Sequence, residues 1–295
     1  MIEVNKLTLK YPSGKGVFEL DFSVKKGEVL GYLGPNGAGK TTTIRALLGF
    51  MEPNSGSCSV GGLDCSKRAP EIQKILGYIP GEISFLNDMN GDEFLKFMQE
   101  MRGTKDTSRQ KQLIEMFEFD PKGKIKKFSK GMKQKLGIIT AFMHDPEVLI
   151  LDEPTSGLDP LMQNRFVELI LSEKAKGKTI LMSSHIFEEV EKTCDNILII
   201  KDGRIIKQSD TETLKNTQRK GFIIKPYNVK SATELLKSAG FDVNTAAGDT
   251  IEVFVTGESI DRFIKTVAQF NVLKFDVKTQ SLEDIFMHFY GREGK

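Results

Sequence analysis

One short segment constrains the fold of this chain more than any other, the glycine-rich stretch Gly34–Thr41, which reads GPNGAGKT. It follows the apolar run Val29–Leu33 and opens a helical pattern over Lys40–Phe50. A glycine, four residues, then glycine, lysine and a hydroxyl residue is the pattern of a phosphate-binding loop. In such a loop the backbone N–H groups surround phosphate oxygens, Lys40 reaches the outer phosphates, and the Thr41 hydroxyl binds Mg²⁺. The sequence therefore predicts a nucleotide site between a strand and a helix.

Two carboxylates stand at the end of another apolar run, Val148–Leu151. If this run is a strand of the same sheet, Asp152 lies beside the phosphate loop and can hold the metal through water. Glu153 then polarises a water molecule aimed at the γ-phosphate. The alternative is a solvated strand end, because acidic residues often follow strands. His185 follows the apolar run Thr179–Met182 and is expected at the same edge, although a single histidine there is more often structural.

Composition excludes several other classes of protein. Among 295 residues, 42 Lys and Arg nearly balance 40 Asp and Glu, which argues against broad nucleic-acid binding. Hydrophobic residues are 39% and charged residues 28%, as in a soluble globular protein and unlike a disordered one. No run approaches the roughly 18 apolar residues of a membrane span. The three cysteines suggest neither a metal site nor a disulfide framework, so we expect a reducing cytoplasm.

The pattern of apolar residues divides the chain into two domains. Over residues 1–213 short apolar runs alternate with helical patterns, which predicts an α/β domain, with a helical subdomain over about 85–141. Over residues 220–295 the order becomes strand, helix, strand, strand, helix, strand, which is typical of a ferredoxin-like α+β domain. A final helix is predicted at Leu282–Tyr290. The earlier elements of this domain are predicted at Phe222–Pro226, Ala232–Ser238, Phe241–Asn244, Ile251–Thr256, Ile260–Phe270 and Val272–Lys278.

Further motifs accompany the phosphate loop, and together they resemble the ATP-binding cassette (ABC) family, specifically the nucleotide-binding subunit of a transporter. The matching segments are Gly34–Thr41 (Walker A), Val148–Asp152 with the catalytic Glu153 (Walker B), Phe128–Met132 (signature), Ser156–Pro160 (D-loop) and His185 (switch histidine). The resemblance covers about residues 1–210 and implies a P-loop NTPase cassette. Tyr11 matches the aromatic residue that stacks on adenine; alternatively, it is a strand-end tyrosine that packs locally.

The resemblance implies an ATPase that uses ATP and Mg²⁺. The implied catalytic residues are Glu153, His185 and Lys40, and the implied metal-binding residues are Thr41 and Asp152. The implied nucleotide-binding residues are Tyr11, Gly34, Pro35, Asn36, Gly37, Ala38, Gly39, Lys40, Thr41, Thr42, Ser129, Gly131 and Asp159.

The resemblance also implies partners. In this family the signature segment contacts ATP held by the opposite subunit, so a chain with one set of motifs is expected to act as a homodimer. Transport requires a separate transmembrane permease, which places the chain at the cytoplasmic face of the membrane, with no direct nucleic-acid partner. The C-terminal domain resembles the tails of bacterial ABC-2-type exporter and drug-resistance ATPases, or it is a regulatory or dimer-stabilising module.

Three positions depart from the family pattern. Lys130 and Met132 stand where the signature usually has glycine and glutamine, and Gly81 stands where the Q-loop has glutamine. Either Glu82 replaces that glutamine or the site tolerates its loss. The alternative function is a soluble ABC ATPase acting on the ribosome or DNA. Such proteins usually carry two cassettes or long coiled coils, and neither is evident here. A P-loop kinase or GTPase gives no reason for the signature and D-loop segments.

Overall fold

The computed structural model describes residues 1–86, 88–184, 186–211, 220–245, 249–255 and 259–278. Met1–Asp210 form one compact unit, and the residues described from Thr211 onward belong to a second. No helix in these ranges is long and apolar enough to cross a membrane.

The first unit contains ten strands and seven α-helices among its described residues. In chain order they are β1 (Ile2–Lys10), β2 (Gly16–Val24), β3 (Val29–Leu33), α1 (Lys40–Leu47), β4 (Ser55–Val60), β5 (Leu63–Asp64), α2 (Ala69–Ile75), β6 (Leu76–Ile79), α3 (Gly91–Arg102), α4 (Ser108–Met116), α5 (Lys130–Phe142), β7 (Val148–Asp152), α6 (Pro160–Ala175), β8 (Thr179–Ser183), α7 (Phe187–Thr193), β9 (Asn196–Lys201) and β10 (Arg204–Asp210).

A six-stranded sheet in the order β10-β9-β3-β8-β7-β6 forms the centre of this unit. Strands β9, β3, β8, β7 and β6 are parallel, and β10 is antiparallel to β9. Every residue of β3, β7 and β8 is buried, which explains why these strands appear as continuous apolar runs in the sequence. Strands β7 and β8 each extend one residue past the predicted end, to Asp152 and Ser183, which pair with each other. The carboxyl ends of β3, β7 and β8 therefore meet at one edge.

A second, antiparallel sheet has the order β2-β1-β4-β5. Its inward residues share one hydrophobic cluster with helix α1 and with the central sheet, including Val4, Leu20, Ile44 and Ile150. Helix α1 is thus enclosed by apolar contacts on its buried face. Its end differs from the prediction, because α1 stops at Leu47 and not at Phe50. Gly49, with φ +71°, takes the left-handed conformation that terminates helices.

The helices predicted over about 85–141 are α3, α4 and α5, which lie between β6 and β7. Helix α3 begins with a capping box, in which the Asn90 side chain accepts from the Glu93 N–H and the Glu93 side chain accepts from the Asn90 N–H. His144, just after α5, has its Nε2 3.1 Å from the carbonyl oxygen of Leu76. Burial lowers the pKa of His144 to about 4.

The second unit contains β11 (Lys220–Pro226), α8 (Val229–Ser238), β12 (Asp242–Thr245), β13 (Ile251–Val255), α9 (Ile260–Val267) and β14 (Val272–Lys278). Its sheet has the order β12-β13-β11-β14, and all pairs are antiparallel. Phe222, Ile224 and Phe263 belong to its separate hydrophobic cluster. The ferredoxin-like assignment stays a prediction, and the predicted final helix, Leu282–Tyr290, lies outside the described residues.

Two helix boundaries in this unit differ from the sequence prediction. Helix α8 starts at Val229, three residues before the predicted Ala232, because the Asn228 side chain accepts a hydrogen bond from the Ser231 N–H and caps the helix. Helix α9 ends at Val267, three residues before the predicted end, because the following residues form short turns with bonds from residue i+3 to residue i.

Candidate active site

The phosphate loop connects β3 to α1 at the carboxyl edge of the central sheet. Its first residue, Gly34, packs so closely that a Cβ atom there would lie 2.6 Å from the carbonyl oxygen of Ile200. Gly37 and Gly39 have φ values of +81° and +113°, so the loop needs glycine at both positions. The first N–H groups of α1 have no acceptor within the helix. The loop therefore presents backbone donors at a positive helix end, as an anion site requires.

Lys40 is the first residue of α1, and its side chain is only 6% exposed. The Nζ atom donates to the carbonyl oxygens of Gly34, at 2.5 Å, and Pro35, at 3.2 Å. It also lies 3.9 Å from Oε1 of Glu153. Burial lowers the pKa of Lys40, and the charges of Glu153 and Asp152 oppose that shift. The ammonium group is therefore held inside the phosphate loop, where Lys40 is predicted to bind the outer phosphates.

Asp152 ends β7 and is almost completely buried, at 1% exposure. Its Oδ2 atom accepts a hydrogen bond from Thr41 Oγ1 at 2.8 Å, and its Oδ1 atom accepts one from Ser183 Oγ. Mg²⁺ at phosphate sites is usually held by one or two protein oxygens together with substrate phosphates. The adjacent carboxylate and hydroxyl of Asp152 and Thr41 fit such an ion, and their role as metal ligands stays a prediction.

Glu153 follows Asp152 in an uncommon left-handed conformation, with φ +48°. Its N–H group donates to Ser183 at two acceptors, the hydroxyl at 3.0 Å and the carbonyl oxygen at 3.2 Å. Backbone strain of this kind persists only where neighbouring contacts enforce it. Ser183 thus contacts both acidic residues, although the sequence analysis did not assign it a role.

The signature and D-loop segments meet within one chain. Ser129 caps α5, since its Oγ accepts from the Met132 N–H at 3.2 Å. Gly131 packs against the D-loop so tightly that a Cβ atom would lie 2.9 Å from the carbonyl oxygen of Gly157. Asp159 caps α6, since its Oδ1 accepts from the Met162 N–H at 3.0 Å. Ser129 and Asp159 therefore have structural roles in addition to those predicted.

Tyr11 and the middle of the phosphate loop lie around the start of α1. Tyr11 is partly buried, and its hydroxyl donates to Met51 Sδ at 3.3 Å and lies 3.5 Å from Thr42 Oγ1. Pro35, Asn36 and Gly37 are exposed, whereas Ala38 is buried. The local packing of Tyr11 agrees with the alternative weighed above, and its stacking on adenine stays a prediction. His185 lies outside the described residues.

Gly81, the position that lacks the family glutamine, lies against Asp152. A Cβ atom there would be 3.2 Å from Asp152 Oδ2, which is tighter than ordinary van der Waals contact. The Glu82 side chain is exposed to solvent. Burial is the main cause that raises the pKa of Tyr78 to about 12, and the negative charge of Asp152 adds to it. A side chain at position 81 would therefore begin in close contact with the Asp152 carboxylate.

A second residue that the sequence analysis missed is Gln134, which is buried on α5. Its Nε2 donates to the carbonyl oxygen of Pro154 at 2.6 Å. One turn earlier, Lys130 Nζ donates to Ser156 Oγ at 2.9 Å. These contacts join α5, which begins in the signature segment and is called the signature helix below, to the loop that follows Glu153.

Known proteins resemble this chain in sequence. The ABC transporter family model matches residues 17–156. The bacitracin transport ATP-binding protein BcrA of Bacillus licheniformis is 34% identical, over 99% of this chain and 97% of that protein. The linearmycin resistance ATP-binding protein LnrL of Bacillus subtilis (strain 168) is 32% identical, over 99% of both chains. A Nod factor export ATP-binding protein of Burkholderia orbicola is 32% identical over 99% of this chain and 97% of that protein.

Solved structures of ABC transporter subunits resemble this chain in fold. The ATP-binding subunit of an ABC transporter superposes with a TM-score of 0.67 and 32% identity, over 73% of this chain and 92% of that one. A dimeric bacterial ABC transporter cassette matches with a TM-score of 0.65 and 20% identity, over 72% of this chain and 99% of that one, and supports the fold alone. These likenesses confirm the predicted cassette fold, and with the relatives they show that the chain is an ATP-binding subunit of the ABC transporter family, an ATPase whose relatives are of the exporter and drug-resistance type.

Proposed function

We propose that this chain powers export by hydrolysing ATP on the cytoplasmic face of a membrane, bound to a separate transmembrane permease. The observation that carries this proposal is the arrangement of Lys40, Thr41, Asp152 and Glu153 around one phosphate loop. The transporter names of the relatives favour export over the soluble alternative, action on ribosomes or DNA. Residues 1–213 form the ATPase domain in this proposal, and residues 220–295 form an accessory domain.

The phosphate loop, Gly34–Thr41, binds the phosphates of ATP. Its N–H groups and the positive end of α1 attract the negative charge, and Lys40 turns from the loop carbonyls to the outer phosphates. Tyr11 and Thr42 also contact the nucleotide, Tyr11 by stacking on adenine. The oxygens of Thr41 and Asp152 hold Mg²⁺, which neutralises phosphate charge when bound. Support for the metal site is the 2.8 Å contact between those two side chains.

Glu153 acts as the general base, accepting a proton from the water that attacks the γ-phosphate. Two hydrogen bonds from its N–H group to Ser183 hold its strained backbone, which fixes the direction in which the carboxylate leaves the chain. His185 steadies the γ-phosphate or the water, a role that depends on the sequence motif alone.

Two copies of this chain form the active unit in this proposal, because the chain carries one set of nucleotide-binding motifs and the signature segment in this family contacts ATP held by the opposite subunit. Ser129 and Gly131 of one copy contact the nucleotide held by the other, and Asp159 acts at the interface between the copies. A site that is complete only after dimerisation couples ATP binding to a large movement. That movement would be transmitted to the permease.

Two variants test the catalytic assignment. Lys40→Ala should abolish ATP turnover, because the phosphates lose their buried cation. Glu153→Gln should keep ATP binding but stop hydrolysis, and should accumulate an ATP-bound dimer on size-exclusion chromatography. A Glu153→Gln protein that hydrolyses ATP at the normal rate would remove Glu153 as the base, and normal turnover by Lys40→Ala would remove the phosphate site.

Co-purification tests the partner. The tagged chain, isolated from detergent-solubilised membranes of its own host, should recover a multi-span membrane protein in stoichiometric amounts. Lys40→Ala serves as a control, because it should keep the permease contact while losing turnover. Recovery of ribosomes in place of a membrane protein would overturn the transport proposal.

A further inference from the structure

The first turn of the signature helix faces the loop between Glu153 and Asp159. Lys130 and Gln134 are four positions apart in α5, so they lie on the same face of the helix. Lys130 Nζ donates to Ser156 Oγ at 2.9 Å, and Gln134 Nε2 donates to Pro154 O at 2.6 Å. The helix therefore contacts this loop at two points, two residues apart.

Backbone packing brings the two segments close enough for these contacts. Gly157 has φ +83°, and a Cβ atom there would lie 2.9 Å from Cγ and Cδ of Lys130. The aliphatic part of Lys130 therefore covers Gly157. Gly131, the next residue of the helix, leaves no room for a side chain beside the Gly157 carbonyl oxygen. The helix and the loop are in van der Waals contact across both glycines.

The contacted loop is continuous with the proposed base. The Ser156 N–H donates to the carbonyl oxygen of Glu153 at 3.1 Å, which closes a tight turn, and Pro154 is the next residue in the chain. Ser183 holds Glu153 from the N-terminal side of that turn, through the Glu153 N–H. The helix contacts hold it from the C-terminal side. A turn fixed at both ends fixes the direction in which the Cα–Cβ bond of Glu153 leaves the backbone.

We infer that Lys130 and Gln134 are positioning residues for ATP hydrolysis, which fix the carboxylate of Glu153 through the loop that carries it. The inference rests on the proposed role of Glu153 as base. Lys130 occupies the signature position where the resembling family usually has glycine, and a glycine there would offer Ser156 no donor. The signature helix of this chain thus gains a contact with its own catalytic loop.

Kinetics of Lys130→Met, Ser156→Ala and the double variant test this inference in the full-length chain. The net strength of one hydrogen bond corresponds to about 2- to 12-fold in rate. Because the contact between Lys130 and Ser156 is exposed to solvent, we expect kcat to fall about threefold in each variant, with an unchanged KM for ATP. The double variant should fall no further, since both changes remove the same contact. Lys130→Arg keeps a donor and should restore kcat to within about twofold.

Lys126→Met is the matched control, because Lys126 is an exposed lysine just before the signature segment. It should leave both constants unchanged. Gln134→Leu should lower kcat about tenfold, and a thermal melt in the absence of ATP separates that effect from unfolding. A rise in KM at constant kcat for Lys130→Met would overturn the inference. A kcat of the double variant that falls by the product of the two single-variant losses would also overturn it. Hydrolysis by Glu153→Gln would instead remove the proposed base, so the two failures are distinguishable.

Discussion

Replacement of Ser183 by alanine is expected to reduce ATP hydrolysis, although Ser183 belongs to no motif identified in the sequence. Its hydroxyl donates to Oδ1 of the buried Asp152 and accepts from the Glu153 N–H at 3.0 Å. A hydrogen bond to a charged group contributes about 1.5–3 kcal/mol. Ser183→Ala leaves one oxygen of Asp152 without this donor, since Thr41 occupies the other oxygen.

That range corresponds to about 10- to 150-fold in an equilibrium or a rate. A water molecule that enters the space left by the hydroxyl would reduce the loss, so we expect a fall in kcat of about tenfold. The free energy of unfolding should fall by about 2 kcal/mol, because the Ser183 hydroxyl donates to a buried carboxylate. Steady-state ATPase assays over a range of Mg²⁺ concentrations, together with urea unfolding, measure both quantities.

Ser184→Ala is the matched control for this experiment. Ser184 is also buried, but its hydroxyl donates to Glu189 Oε2 at 3.3 Å and accepts from the Ile186 N–H at 2.9 Å. It should therefore lose stability to a similar extent and keep normal hydrolysis. Equal falls in kcat for Ser183→Ala and Ser184→Ala would refute the reasoning, as would normal hydrolysis by a folded Ser183→Ala protein.

Three further perturbations have defined outcomes. Gly34→Ala should abolish binding of a fluorescent ATP analogue, because its Cβ atom would lie 2.6 Å from the backbone oxygen of Ile200. Gly81→Gln, which introduces the family residue, should lower kcat about tenfold, since its Cβ atom would lie 3.2 Å from Asp152 Oδ2 and disturb a charge-assisted bond; a gain in activity would contradict this. Burial lowers the pKa of His144 from 6.5 to about 4, so between these two pH values the unfolded chain binds more protons than the folded chain. The contribution of neutral His144 to the free energy of unfolding should therefore be fully present above pH 6.5 and be lost as the pH falls toward 4. Urea unfolding at several pH values should show a smaller fall for His144→Gln.

The sequence predicts those parts of the site that local pattern determines. The apolar run before Gly34–Thr41 predicts a strand, and the pattern after it predicts a helix. The phosphate loop must therefore connect a strand to a helix, and its position follows from residue type and spacing. Asp152 follows for the same reason, because parallel strands bring their carboxyl ends to one edge. These residues need no knowledge of the tertiary structure to be found.

Other contacts depend on residues that are distant in sequence and carry no pattern. Ser183 contacts Asp152 across 31 positions, and Gln134 contacts Pro154 across 20. A serine at a strand end and a glutamine in a helix are common, and only the register of the sheet and the packing of α5 give them partners. The one available signal is the position of Ser183 at the end of an apolar run, two residues before the predicted His185. Helix ends were missed for a local reason, as Gly49 shows by ending α1 early.

The buried ammonium of Lys40 has a consequence for the energetics of ATP binding. It donates to the carbonyl oxygens of Gly34 and Pro35. If Lys40 turns to the phosphates as proposed, ATP binding exchanges one set of hydrogen-bond acceptors for another, so the net affinity is smaller than a count of phosphate contacts would suggest. The proposed phosphate contact of Lys40 would therefore add to the affinity only the difference in free energy between its bonds to phosphate and its bonds to these two carbonyl oxygens.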